Sequence, residues 1–297
     1  MTTYGQLVDY TLLKLNAYST SQDQMTTLVN SIGTTDTALT ILEPSQVSRG
    51  LLEIDDELLF AQSVDLTSAI VTIPPWGRGY RGSIAASHAA NARITSTPTF
   101  PRQQVKDAIN ESVLGVYPYL AKISSTEITV ATGVSTYSMP TGVEKVLSVS
   151  YNPQTVAGEW LPVRRYRVEA EADTTSFATG CSLTILDQLN VGAVVRVITA
   201  SMPSQLSNES DDFTTVTGLG PSTVDVVGLG AAWRLMQFID VPRLFGNSAE
   251  ADFGGQNRPV GGANAIVRQI YQIYKDRLAD EALIQSKLHT IRSHYSN

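Results

Sequence analysis

The chain has 297 residues and a net charge of −7, with 42% hydrophobic and 16% charged residues. This composition supports a sizeable core and excludes a disordered chain, and the single cysteine, Cys181, excludes an intrachain disulfide. The acidic balance argues against a chain-wide basic surface for nucleic acid. No apolar run approaches the roughly 18 residues of a membrane span. The first residues lack the basic and apolar regions of a signal peptide, so we expect none.

The N-terminal end shows helical periodicity. Thr3 and Gln6 have capping-box spacing, and the apolar residues that follow recur every three or four positions as far as Leu15. A similar pattern begins at Ser21, continues through apolar residues and stops at Gly33. These patterns predict two helices before residue 36.

Two later regions are typical of β structure. Short runs of β-prone residues are separated by turn formers in residues 36–98 and again in residues 123–217. The predicted strands are Ala38–Leu42, Glu57–Gln62, Ala69–Ile73, Glu127–Ala131, Lys145–Tyr151, Ser182–Leu186 and Ala193–Ala200. The sequence therefore predicts a small and a larger β module.

The remaining segments favour helices. Pro101 suits the first turn of a central helix, and Pro118 is expected to kink or end it. Residues from about Thr223 to Ile239 are apolar on nearly all sides, which is typical of a helix buried on more than one face. A last helix from about 263 to 294 would be about 45 Å long, and its apolar stripe skips one position at Glu281.

These elements together predict an α+β fold. A helical bundle is formed from both termini and a central helix, in residues 1–35, 99–122 and 218–297. Two β modules, 36–98 and 123–217, are inserted into it. The bundle carries a C-terminal arm from about residue 275, because the last helix is longer than the body it could cover.

The run from Gly77 to Gly82 matches a dinucleotide-binding pattern only literally. Two prolines precede it, and no acidic residue follows at the required distance. A glycine-rich turn fits better, with Gly79 and Gly82 at positive φ. His88 is the one histidine placed for a catalytic triad, which leaves a hydrolase as an alternative, but we expect its ring to bond a nearby backbone group.

The other polar and charged residues that could form a site are better explained by structural roles. His289 and His294 are five residues apart, which does not suit a helical metal pair. The acidic run from Asp55 to Glu57 is expected to be a solvated turn rather than a cation site. The arginines between Arg164 and Arg167 are expected to pair with Glu169 and Glu171 rather than with nucleic acid. Cys181 is expected to be an inert thiol.

Four motifs resemble tailed-phage structural proteins. They are Ile54-Asp-Asp-Glu57-Leu-Leu, Ala69-Ile-Val-Thr-Ile, Arg78-Gly-Tyr-Arg-Gly-Ser83 and Ala85-Ala-Ser-His88-Ala-Ala-Asn91. The following helix, with Phe100-Pro-Arg at its start, Ile109-Asn110-Glu111 inside and Tyr117-Pro118 after it, is similar to the helix of the same proteins. The pattern resembles head-to-tail connector, or adaptor, proteins of long-tailed phages. Asn91 replaces the usual glycine and Ser83 the usual threonine, and Pro74-Pro75 is inserted.

The resemblance implies a non-enzymatic virion protein at the head–tail junction, assembled in the host cytoplasm. Such proteins form a homo-oligomeric ring, commonly of twelve copies, that binds the portal protein on one side and the next neck or tail-completion protein on the other. DNA passes through the lumen without sequence-specific binding, and no membrane is involved. Another ring protein of the neck or tail, a stopper or a tail terminator, remains an alternative.

We accordingly expect no catalytic, cofactor or metal site. The residues expected to dock on the portal share the basic and apolar end of the last helix: Ile284, Lys287, Leu288, Ile291, Arg292 and Tyr295. The residues expected at a subunit interface lie on the preceding apolar helix: Trp233, Met236 and Phe238. Those expected to serve a structural turn are Gly77, Gly79, Gly82 and His88.

Overall fold

The fold mixes α-helices with antiparallel sheets, which confirms the predicted α+β class. The computed structural model describes residues 2–16, 23–153, 158–237 and 262–289. The more specific arrangement, one helical bundle with two β insertions, stays a prediction.

Four of the described helices fall close to their predicted positions, and a short fifth one, Phe213–Thr217, lies inside the predicted larger β module. They are α1 (Tyr4–Asn16), α2 (Arg102–Gly115), α3 (Phe213–Thr217), α4 (224–237) and α5 (Gly262–Leu288). Pro101 directly precedes α2, and the helix ends before Pro118, as proline chemistry predicts. Short 3-10 turns cover Pro44–Gln46, Pro75–Gly77, Tyr80–Gly82 and Pro221–Thr223. The part of the last predicted helix from residue 290 onward lies outside the described residues.

Seven strands form the first β region. They are β1 (Gln24–Thr27), β2 (Ala38–Thr40), β3 (Gly50–Ile54), β4 (Glu57–Ala61), β5 (Ser63–Asp65), β6 (Ile70–Thr72) and β7 (Arg93–Ser96). One sheet has the order β1-β7-β3-β4 and a second has the order β2-β6-β5, with every pair antiparallel. Twelve buried apolar residues, from Leu28 to Ile94, form the core of this region.

Seven further strands form the larger β region. They are β8 (Lys122–Thr129), β9 (Thr136–Ser138), β10 (Val143–Asn152), β11 (Leu161–Pro162), β12 (Tyr166–Glu169), β13 (Ser182–Ile185) and β14 (Val194–Ser201). One sheet has the order β11-β10-β14-β8 and the other β12-β13-β9. Alternate residues of β10, β13 and β14 point into a shared core that includes Val149, Leu183 and Val197. All seven predicted strands thus correspond to observed ones.

The predicted helix from Ser21 to Gly33 is wrong. Residues 24–27 form β1, whose backbone pairs with β7 from Gln24↔Ser96 to Thr27↔Arg93. Thr26 and Leu28 point inward, whereas Met25 and Val29 are exposed, which is strand rather than helix periodicity. The apolar spacing fits both periods over so short a run, and the partner strand decides between them.

The chain separates into two compact units. One contains residues 1–5, 110–227 and 272–297, including the larger β region, and the other contains residues 6–109 and 228–271, including the smaller one. The division passes through the sequences of α1, α2, α4 and α5.

Candidate functional site: a buried glutamate, arginine and histidine network

Glu57 is the centre of the most densely bonded polar cluster in the smaller β region. It begins β4, directly after a turn in which Asp55 has a φ of 52°. The residue is only 1% exposed. The expectation that this acidic run is a solvated turn is therefore wrong for Glu57.

Arg78 uses its whole guanidinium group to hold this region together. Its Nε and Nη2 donate to the two carboxylate oxygens of Glu57 at 2.8 and 2.9 Å. Nη1 donates to the carbonyl oxygens of Gly33 and Asp36, and Nη2 also donates to the carbonyl of Ala86. These bonds account for all five N–H groups of an arginine. One side chain thus ties β4 to two distant loops.

The Glu57 carboxylate is held ionised. Burial would raise its pKa, but hydrogen bonds from Arg78, from the backbone N–H groups of Ala86 and Gly79, and from His88 outweigh burial and lower the pKa to about 2. A carboxylate bonded in this way has no free lone pair for a substrate or metal. The cluster is therefore built to position a loop rather than to transfer protons.

His88 lies between two carboxylates. Its Nδ1 is 2.8 Å from Asp55 Oδ2, its Nε2 is 2.9 Å from Glu57 Oε2, and the side chain is 1% exposed. Carboxylate oxygens thus lie within hydrogen-bond distance of both ring nitrogens. The expectation that the ring bonds a backbone group is wrong. Neither nitrogen is available to a substrate, so the structure does not favour a hydrolase using His88.

The glycines of this loop have different reasons to be glycine. A Cβ on Gly77 would lie 2.8 Å from Pro74 Cδ and 3.0 Å from the Phe60 carbonyl oxygen. Gly79 has a φ of 58°, and its Cβ would lie 2.8 Å from the Ser83 carbonyl oxygen. Gly82 has a φ of 87° with open space around it. The positive φ predicted for Gly79 and Gly82 is confirmed.

The same loop presents an aromatic cluster. The rings of Phe60, Trp76 and Tyr80 have centroids 5.1 to 6.2 Å apart, and Trp76 is 62% exposed. The Arg81 guanidinium lies 5.8 Å from the centre of the Tyr80 ring. Sequence analysis did not single out this cluster, because the three rings come from β4 and from two separate turns.

Two motif residues of α2 connect to neighbouring segments. The Arg102 backbone N–H donates to Glu53 Oε1 at 2.5 Å, and the Arg102 side chain contacts Asp9 and Asp56. Burial raises the pKa of Glu53 to about 7 against the opposing hydrogen bond and charge of Arg102. In the other unit, the Asn110 amide accepts from the Leu206 N–H and donates to the Leu206 carbonyl oxygen, both at 2.9 Å.

The C-terminal helix packs on its own unit further than predicted. Glu281 is 5% exposed and accepts hydrogen bonds from Ser222 and Arg277. The Gln285 amide pairs with the Ala121 backbone, donating at 2.8 Å and accepting at 3.0 Å. The expectation that an arm leaves the body from residue 275 is therefore wrong, because α5 contacts its own unit as far as Gln285. Glu281, the position at which the apolar stripe of α5 is interrupted, is therefore a buried acid.

The residues predicted to dock on the portal fall into two groups. Ile284 is 50% exposed, Leu288 is 73% exposed, and Lys287 is also exposed. Leu288 follows Glu281 by seven residues, about two helical turns, so the two share a face of α5. Ile291, Arg292 and Tyr295 lie outside the described residues.

The predicted interface residues on α4 lie partly within their own unit. Trp233 is half-buried, with its ring centroid 4.7 Å from that of Tyr271 in α5, and Met236 is half-buried. Phe238 lies outside the described residues. A Cβ on Gly228 would lie 3.5 Å from Thr11 Oγ1 of α1, so α4 packs beside α1 at this position.

The remaining candidates lie in the larger β region. Arg167 pairs with Glu169 as predicted, but Arg165 pairs with Asp187 and not with Glu171. Cys181 is 6% exposed, and burial raises the pKa of its thiol. An open cleft of about 550 Å³ includes Asp187 among mostly apolar lining residues.

No group of three or more His, Cys, Asp or Glu side chains among the described residues is arranged to hold a metal ion. No helix in this part of the chain is long and apolar enough to cross a membrane.

No protein-family model matches the sequence, and no curated protein matches it.

Proposed function

We propose that this chain is a structural protein of a tailed-phage virion, forming a homo-oligomeric ring below the portal that joins the DNA-filled head to the tail. In this role it extends the DNA channel and has no catalytic activity. A stopper or tail terminator belongs to the same class of ring protein and differs in its direct neighbours.

One observation supports the proposal above the others. The residues that carry the resemblance are far apart in sequence, yet Glu57, Arg78, Gly79 and His88 bond to one another in a single buried network. Chance matches to short motifs have no reason to meet in this way. The resemblance therefore rests on a set of interacting residues.

The end of α5 supports portal docking. The face that is buried at Leu278 and Glu281 continues to Leu288, where it is 73% exposed. Lys287 adds a positive charge beside this apolar surface. An amphipathic helix end of this kind fits an apolar groove with acidic surroundings on a partner. We place the start of the docking segment at the exposed Ile284 and retain Ile284, Leu288, Ile291 and Tyr295 as its apolar residues, with Lys287 and Arg292 as its basic ones. Gln285, within this segment, stays bonded to the Ala121 backbone.

Labelling and binding experiments test the function. Antibody against the chain is expected to label the neck of intact virions, and electron microscopy of purified chain mixed with its portal is expected to show a ring, with twelve copies as the expected number. Labelling at the distal tail, or a chain that binds tail components but never the portal, would favour the terminator. Absence of the chain from virions would refute the proposal.

Two truncations test the docking segment. Deletion of residues 289–297 is expected to leave the thermal midpoint nearly unchanged while abolishing binding to the portal. Deletion of residues 280–297 also removes Glu281 and Gln285 and is expected to destabilise the chain itself. Normal portal binding by the shorter deletion would contradict this role.

A further inference from the structure

The aromatic cluster on the smaller β region is a preformed, exposed surface. We define the aromatic surface as Phe60, Trp76, Tyr80 and Arg81. Trp76 is 62% exposed although it packs on two other rings. Exposed tryptophan, tyrosine and arginine are the residue types that carry most binding free energy at protein interfaces.

The buried network holds this surface rigid. Trp76 and Tyr80 flank Arg78, whose five N–H donors all have hydrogen-bond acceptors. The backbone at Gly77 and Gly79 packs so closely on its neighbours that a Cβ at either position would lie 2.8 Å from another atom. Ser83 accepts from the Leu58 N–H at 3.0 Å and so ties the end of the turn to β4. A surface held in its binding conformation loses little entropy on association.

A second exposed surface lies on β1 and the segment beside it. We define the acidic surface, named for its one charged residue, as Met25, Val29, Leu42 and Glu43. The backbone of residues 27–29 pairs with that of residues 40–42, through Leu42 N–H to Thr27 O at 3.0 Å and Val29 N–H to Thr40 O at 2.8 Å. Strand alternation turns Leu28 and Ile41 inward, while Met25, Val29 and Leu42 are 51%, 41% and 65% exposed.

We propose that the aromatic surface of one copy of this chain binds the acidic surface of the next copy, with Arg81 facing Glu43. This inference rests on the proposed ring and names its subunit contact. Both surfaces are apolar, and each has an exposed residue of opposite charge at its edge. Since the two surfaces differ, the contact is head-to-tail, and repeating it generates a ring when the rotation closes.

Charge distinguishes the acidic surface from two other exposed apolar surfaces of the chain. Tyr10 and Leu13 of α1 lie beside Lys14, and Leu288 of α5 follows Lys287, so each has the same sign as Arg81.

Leu66 follows an acid, but both Asp65 oxygens accept hydrogen bonds from the turn itself, from Thr67 and Ser68. Glu43 is an exposed acid that directly follows the exposed Leu42. The acidic surface is thus the better complement to an arginine-edged aromatic surface.

Charge reversal tests the pairing. We expect Arg81→Glu and Glu43→Arg each to weaken self-association at least ~10-fold by sedimentation velocity, because each places like charges across the contact. Mixing the two variants is expected to restore association to within ~3-fold of the unaltered chain. Arg164→Glu and Glu144→Arg, at exposed positions of the other unit, are the matched controls and are expected to leave association unchanged.

Cysteine crosslinking provides a second measurement. A double variant with Arg81→Cys and Glu43→Cys is expected to form a disulfide ladder on oxidation. A mixture of the two single variants is expected to stop at dimers, and neither single variant is expected to crosslink alone. The native Cys181 is buried and does not compete.

The outcomes separate this inference from the function it rests on. If each single charge-reversal variant assembles normally and the double-cysteine variant gives no ladder, the ring is retained but this pairing is overturned. A chain that never self-associates, alone or with the portal, overturns the ring and the pairing together. Crosslinking of either single variant to itself would indicate a two-fold contact and also overturn the pairing.

Discussion

Arg78 and Glu57 form a two-pronged ion pair, Nε to Oε1 at 2.8 Å and Nη2 to Oε2 at 2.9 Å, with side chains that are only 5% and 0% exposed. The two residues are 21 positions apart in sequence. Their ion pair fixes the segment that joins the 3-10 turns Pro75–Gly77 and Tyr80–Gly82 against β4. Breaking a buried pair is costly because the remaining charge stays buried and uncompensated. The pair is therefore the main determinant of the aromatic surface.

Removing the Glu57 charge tests this. Glu57→Gln is expected to destabilise the chain by about 3–5 kcal/mol, because Arg78 loses its buried counter-charge. The control is Asp55→Asn, which alters the other carboxylate that contacts His88 but at a side chain that is 63% exposed. A change of at most about 1 kcal/mol is expected there. Equal effects in urea unfolding would contradict a special role for Glu57.

Acid should weaken the fold through the same group. The pKa of Glu57 is about 2 in the folded chain against 4.5 ordinarily, so its contribution is complete above pH 4.5. Stability is expected to fall as the pH drops from 4.5 towards 2, because Glu57 takes up a proton in the unfolded chain over this range while Arg78 keeps it ionised in the folded chain. Thermal midpoints measured across this range should fall more steeply for the unaltered chain than for Glu57→Gln. Parallel curves would assign the acid sensitivity to other carboxylates.

Glu53 should act in the opposite direction. Burial raises its pKa from 4.5 to about 7, so the folded chain holds a proton that the unfolded chain has lost. Stability from this group is present below pH 4.5 and is lost as the pH rises to about 7, by about 3 kcal/mol in total. Glu53→Gln keeps the acceptor for the Arg102 N–H and removes the charge. The variant is expected to be more stable than the unaltered chain at pH 8, and equal stability would refute the raised pKa.

Gly79 and Gly82, the two positive-φ glycines of the turn at residues 77–82, should respond unequally to substitution by alanine. Gly79→Ala adds a Cβ 2.8 Å from the Ser83 carbonyl oxygen to an already unfavourable φ of 58°. Gly82→Ala meets no atom within 4 Å and incurs the backbone strain alone. We expect about 1–2 kcal/mol for Gly82→Ala and a larger loss for Gly79→Ala. Denaturant midpoints of the two variants check the order, and the reverse order would contradict the packing of this turn.

Gln285 should anchor α5 to its unit. Its amide makes two hydrogen bonds to the Ala121 backbone, so Gln285→Ala leaves that N–H and C=O without their partner. The expected cost is about 1–3 kcal/mol. Gln272→Ala is the matched control on the same helix, since Gln272 is exposed and bonds only the nearby Asp276 side chain. It is expected to change stability by at most about 0.5 kcal/mol. Similar effects of the two substitutions would indicate that α5 is not held at Gln285.

The sequence by itself determined the positions of four helices and of the two β regions. Runs of β-prone residues between turn formers identified seven of the fourteen described strands, and the prolines at 101 and 118 flank α2. The glycine spacing of residues 77–82 also predicted positive φ at two positions, because only local backbone geometry is involved.

The tertiary structure decided which residues that are distant in sequence contact one another. Residues 24–33 have apolar positions that fit either a helix or a strand, and pairing with β7 made residues 24–27 the strand β1. Glu57 and His88 looked like a solvated acid and a backbone-bonded histidine, because burial and partners 21 to 31 residues away are not encoded in local spacing. The same reason applies to Glu281, which interrupts an apolar stripe in sequence but is buried against Ser222, 59 residues away. Local periodicity sets the direction of a side chain, whereas long-range contacts determine its charge environment and therefore its role.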